Sequence, residues 1–131
     1  MDAALEKLLQ LSQAPMSMLD AIRAGYMVSC SQESTWSGFT AAGVMSTAAW
    51  DEVIGPSVSL RDARRRAARM PLQEVWNRAM EVTRAYRARG VTLPAIHFRW
   101  RAVSGRLIGL ALTAVVDGGR PYVVIRLAGE A

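Results

Sequence analysis

The sequence predicts an α+β domain: N-terminal helices followed by a C-terminal three-stranded antiparallel β-meander with a long helix packed on it. Three observations carry this expectation. Apolar residues recur at helical spacing as far as Arg89. After Pro94 the pattern switches to strict alternation. Ser104-Gly105 and Asp117-Gly118-Gly119-Arg120 then divide the alternating stretch into three strands.

The chain has 131 residues, 51% of them hydrophobic, enough for a single domain, 1–131, with a real core. Leu5, Leu8, Leu9 and Ser12 follow the helical period over residues 3–13, with Asp2 as N-cap. Pro15 ends that element. Ser17 and Asp20 form a capping-box-like pair ahead of a second helix, with Leu19, Ile22 and Tyr26 on one face. Residues 29–38 are rich in Ser, Thr and Gly and read as a loop. Two readings compete around it. Residues 26–30 and 36–40 pair as a hairpin, or a helix runs from Thr40 to about Ile54, and the helix is preferred because Val44, Trp50, Val53 and Ile54 share a face.

Gly55-Pro56 breaks the chain, and Ser59 and Asp62 cap a further helix with an apolar stripe of Leu60, Ala63, Ala67 and Met70. Pro71 reads as the first residue of a new helix, where a missing amide proton costs nothing. That helix, residues 72–89, presents Leu72, Val75, Trp76, Ala79 and Tyr86 on one side and ends at Gly90. Ile96, Phe98, Trp100 and Ala102 then alternate with His97, Arg99, Arg101 and Val103. Residues 107–116 are apolar on both faces, as in a central strand covered on both sides, and 122–127 form the last strand.

Charge divides the chain into an acidic, mainly helical half, 1–58, and a basic helix-helix-meander half, 59–131. Up to residue 60 there are two cations against six carboxylates. From residue 61 there are fourteen arginines against five carboxylates, a net of +9. This asymmetry points to an anionic partner: nucleic acid, or the acidic surface of a protein complex. A preference for Arg over Lys also follows from a GC-rich genome, but genome bias does not place the arginines after residue 60. Arg61, Arg64, Arg65, Arg66 and Arg69 line successive turns of one helix. Arg84 and Arg87 cluster near a helix C-terminus, and Arg99 and Arg101 share a strand face that Arg126 can join. Trp36, if exposed in its loop, would stack on a base or fill a protein pocket.

Little else carries chemistry. His97 is the only histidine and Cys30 the only cysteine, so a triad or a two-histidine metal site lacks members. Arginines flank His97 in the alternation, which reads as a surface histidine. Cys30 reads as a small buried hydrophobe. Asp51 and Glu52 are adjacent and point in different directions on a helix. No catalytic residue, metal or cofactor is expected. The segment running through Leu93-Pro94, Trp100, Ser104-Gly105-Arg106 and Val124-Ile125-Arg126-Leu127 resembles the stretch before the metal helix of SprT-like zinc peptidases. The resemblance is confined to the C-terminal half, and no His-Glu-x-x-His is present to carry a ligand over. A helix followed by a β-meander accounts for it.

The sequence thus leads to a non-enzymatic binding protein with an Arg-rich face. The alternative is a small protein-binding inhibitor or adaptor, of the kind phages direct at host defence complexes. No apolar run is long enough for a membrane helix, and no targeting segment is visible. A cytoplasmic protein of a bacterium or phage is expected, without a membrane partner. A homodimer is compatible with the same features.

Overall fold

The computed structural model describes residues 16–55, 62–102 and 104–130, with the backbone alone for 62–68. The helix expected at 3–13, the Ser59 cap and Arg61 lie outside the described residues. The elements run α1 (Met18–Ala24), β1 (Met27–Ser29), α2 (Ser31–Ser37), β2 (Ala42–Ser46), α3 (Thr47–Val53), α4 (Asp62–Ala88), β3 (Ile96–Arg101), β4 (Leu107–Asp117) and β5 (Arg120–Leu127).

The α+β class holds, but the sheet is larger than a meander. It has five strands in the order β1-β2-β5-β4-β3. The expected antiparallel meander β3-β4-β5 is present, with β4 in its middle. β2 then joins β5 in parallel, Ala42 opposite Tyr122 through Met45 opposite Ile125, and β1 extends the sheet antiparallel to β2.

The region around 26–54 departs from both readings. Residues 27–29 are a strand, as in the hairpin, but their partner is 42–46. The helix expected from Thr40 starts only at Thr47, because Gly43, Val44 and Met45 are taken into the sheet. Ser46 ends β2 and caps α3. Its hydroxyl accepts from Ala49 N (3.1 Å) and donates to Glu130 Oε1 (2.8 Å). The serine-rich stretch read as a loop is α2. Its inward face is polar: Glu33 and Ser37 are buried towards α4, and Ser34 is buried over Gly43 of β2. There the Ser37 hydroxyl donates to Asn77 Oδ1 (2.8 Å) and accepts from Gln73 Nε2 (2.9 Å). Gly38, at φ 108°, closes the helix in the left-handed conformation.

The two helices expected on either side of Pro71 are one. α4 runs unbroken from Asp62 to Ala88 with Pro71 inside. A proline there removes one ladder hydrogen bond, at about 3 kcal/mol or more. Burial of Leu72, Val75, Trp76 and Ala79, each fully inside, offsets that cost.

One face of the sheet carries the main core. Val28, Met45, Phe98, Ile108, Leu110, Leu112 and Ile125 meet Trp50 and Val53 of α3 and Leu72, Val75 and Trp76 of α4. On the opposite face α1 covers only one end, packing Met18 and Ala21 on Met27, Val44, Tyr122 and Val124. The expected α1 stripe of Leu19, Ile22 and Tyr26 is therefore displaced: Leu19 and Tyr26 are exposed. Ser17 does cap α1, accepting from Asp20 N at 3.2 Å. The described elements do not cover β4 on both sides along its length. Leu107 and Val116 are exposed, and between them the outward side chains are small.

The core is tightest at Gly43, which is buried in β2. A Cβ there would collide with the Ser34 side chain and lie 2.9 Å from Cη2 of Trp76. Gly43→Ala should cost about 1–3 kcal/mol by overpacking. It is read as a lower denaturant midpoint at unchanged slope. A neutral substitution would mean that α2 stands off the sheet.

Candidate functional site

Alternation in β3 sends Phe98 and Ala102 into the core and leaves His97, Arg99 and Arg101 exposed on the other face. Register decides what surrounds them. Ala111 stands opposite His97 on one side and Arg126 on the other, so these three form one row across the sheet. The next row pairs Arg99 with Gly109, and the one after pairs Arg101 with Leu107. Alternate residues of a strand lie about 6.6 Å apart and neighbouring strands about 4.8 Å apart. Three guanidinium-bearing residues and an imidazole therefore frame a floor made of Gly109 and Ala111.

Gly109 is exposed, and the nearest atom to a Cβ built on it is Cβ of Ala128, at 3.3 Å. The floor is thus shallow and close to backbone. The ion pairs on this face are weak. Arg126 reaches Glu130 only at 4.0 Å, and Glu130 Oε1 already accepts from Ser46 and from Leu127 N. Arg101 Nη1 donates to Gly105 O at 2.7 Å, which orients its fork beside the β3–β4 turn. Among the described residues Glu130 is the only carboxylate that pairs with an arginine of this face. Arg106, beyond the turn, is held by Glu52 of α3 at 3.4 Å.

The remaining expected residues do not converge on this face. Arg64, Arg65 and Arg66 lie in the helical backbone of α4, and Arg69 is exposed on it. Arg84 and Arg87 are exposed at its other end, about 22 and about 27 Å from Arg69 along the axis. α4 packs on the core side of the sheet from Leu72 onward, so Arg84 and Arg87 lie across the sheet from the β3 arginines. Trp36 is on α2 and not in a loop, and it is exposed, 59%.

His97 and Cys30 are apart. His97 is exposed on β3, whereas Cys30 is fully buried with its thiol facing Val28 O at 3.6 Å. No group of three His, Cys, Asp or Glu residues among those described could hold a metal ion. No helix among the described residues is long and apolar enough to cross a membrane. Sequence reasoning found Arg99 and Arg101 from alternation. It missed the floor of Gly109 and Ala111, whose place depends on strand register and has no local signal. Compared with known proteins, the chain matches no family model, no curated protein and no solved structure.

Proposed function

We propose that the chain is a non-enzymatic binding protein that holds the phosphate backbone of a nucleic acid on the outward face of β3, β4 and β5. The observation that carries this reading is the row arrangement of Arg99, Arg101 and Arg126 around Gly109 and Ala111. Like charges gathered at this spacing repel one another and add little to folding. A polyanion neutralises them, and guanidinium forks match phosphate oxygens in geometry as well as charge. The small floor lets a backbone approach the sheet without meeting a side chain. Among the described residues no exposed aromatic shares the face, since Phe98 and Trp100 point into the core side. Contacts there go to phosphate and not to bases, which makes the binding insensitive to sequence.

Fluorescence anisotropy with a labelled single-stranded oligonucleotide tests this. Three phosphate contacts give a slope of log K against log salt of about −2. Arg99→Glu combined with Arg101→Glu should flatten that slope to about −0.7 and weaken low-salt binding at least tenfold. Wild-type affinity in this variant would sink the reading. Reversal of Arg61, Arg65 and Arg69 in the same assay tests the helical cluster. If only that variant loses binding, the phosphates lie on α4 and the sheet face is a bystander.

A protein-binding inhibitor or adaptor is a second reading. It rests on Trp36 of α2 and Met70 of α4, both large, apolar and exposed. Exposed aromatics of this kind anchor protein interfaces. Failure of the wild-type chain to bind any oligonucleotide, with capture of one protein after nuclease treatment, selects it.

A further inference from the structure

The core side of the sheet holds a second feature, independent of the phosphate reading. Where α4 ends, the chain turns through Gly90 and returns along residues 91–94 to β3. Between this return, the last turns of α4, the 38–41 turn and the ends of β4 and β5 lies an open cleft of about 550 Å³. Ligand sites of small molecules fall in the range of about 300–1,000 Å³. Its floor is Leu112, Ala114 and Val123, and Met80 and Ile96 extend the apolar lining. Val91 and Leu93 wall it from the return loop and remain partly open to solvent. An apolar wall in that state gains from any ligand that covers it.

The charge at the cleft is one-sided. Among the described residues Arg87 is the only charged one in its lining, and no carboxylate lines it. Arg84 sits at the rim, folded over Gly38, where a Cβ would lie 3.0 Å from its Nη2. Neither arginine forms an ion pair with a described residue. The hydroxyls of Tyr86 and Thr40 supply polar atoms near the mouth. Thr83 is already committed, donating to Ala79 O at 2.8 Å. A long apolar floor with one cationic end is complementary to a molecule with an apolar body and one negative head.

We propose that this cleft binds a small amphipathic monocarboxylic acid, with its carboxylate on Arg87 and its hydrocarbon body along Leu112, Ala114 and Val123. A doubly charged head, such as a phosphate monoester, would meet a single arginine in the described lining, Arg87. The carboxylate takes the bidentate fork of one arginine, and the body displaces water from apolar walls.

The test uses the full chain with decanoate as the probe and decan-1-ol as its uncharged counterpart, followed by backbone amide chemical shifts. Decanoate should saturate, with shifts confined to residues 38–41, 83–87, 91–96, 112–114 and 123. Arg87→Ala is an exposed change that leaves the fold intact. It should weaken decanoate about tenfold, as expected for one lost charge-assisted pair, and leave decan-1-ol unchanged. Ala114→Trp, which fills the floor from an exposed strand position, should abolish both. Absence of saturable decanoate binding overturns the proposal, as does equal decanoate affinity in Arg87→Ala. Binding of a peptide with a free carboxyl terminus, where decanoate does not bind, also overturns it.

Discussion

Trp76→Ala should cost about 3–5 kcal/mol, the range for removing a large aromatic from a packed core. Trp76 is fully buried in the middle of α4. Its ring meets Phe39 edge to face, with centroids 5.7 Å apart, and its six-membered edge rests over Gly43. Truncation opens a void bounded by α2, α4 and β2 at once, and the floor cannot rise to fill it because Gly43 has no side chain. Folded domains are stable by only about 5–15 kcal/mol, so the variant loses a large part of the total. The melting temperature should fall by roughly 10–20 °C. Trp76→Phe is the informative control. The indole Nε1 is buried and has no hydrogen-bond partner among the described residues. Phenylalanine keeps much of the packing and removes that unpaired donor, whose burial costs about 1–3 kcal/mol. Trp76→Phe should therefore be far milder than Trp76→Ala. Equal losses in the two variants would mean that the indole nitrogen does have a partner and that the polar contact, not the ring, holds the site.

Leu110→Ala is the second large effect, at about 2–5 kcal/mol of transfer and cavity terms together. Leu110 lies in the middle of β4, opposite Phe98 of β3 and Leu127 of β5, and is fully buried. It interlocks the meander with the helical layer. Leu107→Ala in the same strand is the comparison. Leu107 is 50% exposed at the start of β4, and its loss should change stability by no more than about 0.5 kcal/mol. Urea denaturation of both variants reads the difference. A loss below about 1 kcal/mol at Leu110 would show that the sheet and α4 are not tightly packed there.

The parts of the fold that were legible in the sequence are those whose pattern is local. β3 alternates cleanly, its turns are marked by glycine, and α4 from Leu72 onward keeps a single apolar face. What was not legible depended on contacts distant in sequence. α2 turns Glu33, Ser34 and Ser37 inward, so its helical face is polar and its composition reads as a loop. The partners that make this tolerable, Gln73 and Asn77, lie some forty residues away. β1 has three residues and β2 has five, too few for a periodic signal, and β2 is a strand because β5 offers it an edge. By its usual rule Pro71 starts a helix, yet α4 runs through it, with Leu72, Val75 and Trp76 buried just after it. The same division applies to the candidate site. Arg99 and Arg101 follow from alternation, whereas their neighbours Gly109, Ala111 and Arg126 are set by register.

The parallel pairing of β2 with β5 also governs the order of assembly. Among the described residues β1–β2 and β3–β4 have no strand contact with each other, and within the sheet they are joined through residues 120–127. During synthesis the acidic half emerges first but cannot complete its sheet. Until 120–127 are available, β2 and β4 each present a bare edge able to recruit strands from other chains. Such non-local closure is slow relative to helix formation. A nascent or proteolysed chain lacking this one segment would therefore not be a smaller version of the fold. It would be two open half-sheets, prone to self-association, and the charge on the arginine-rich half would then serve to keep such species apart.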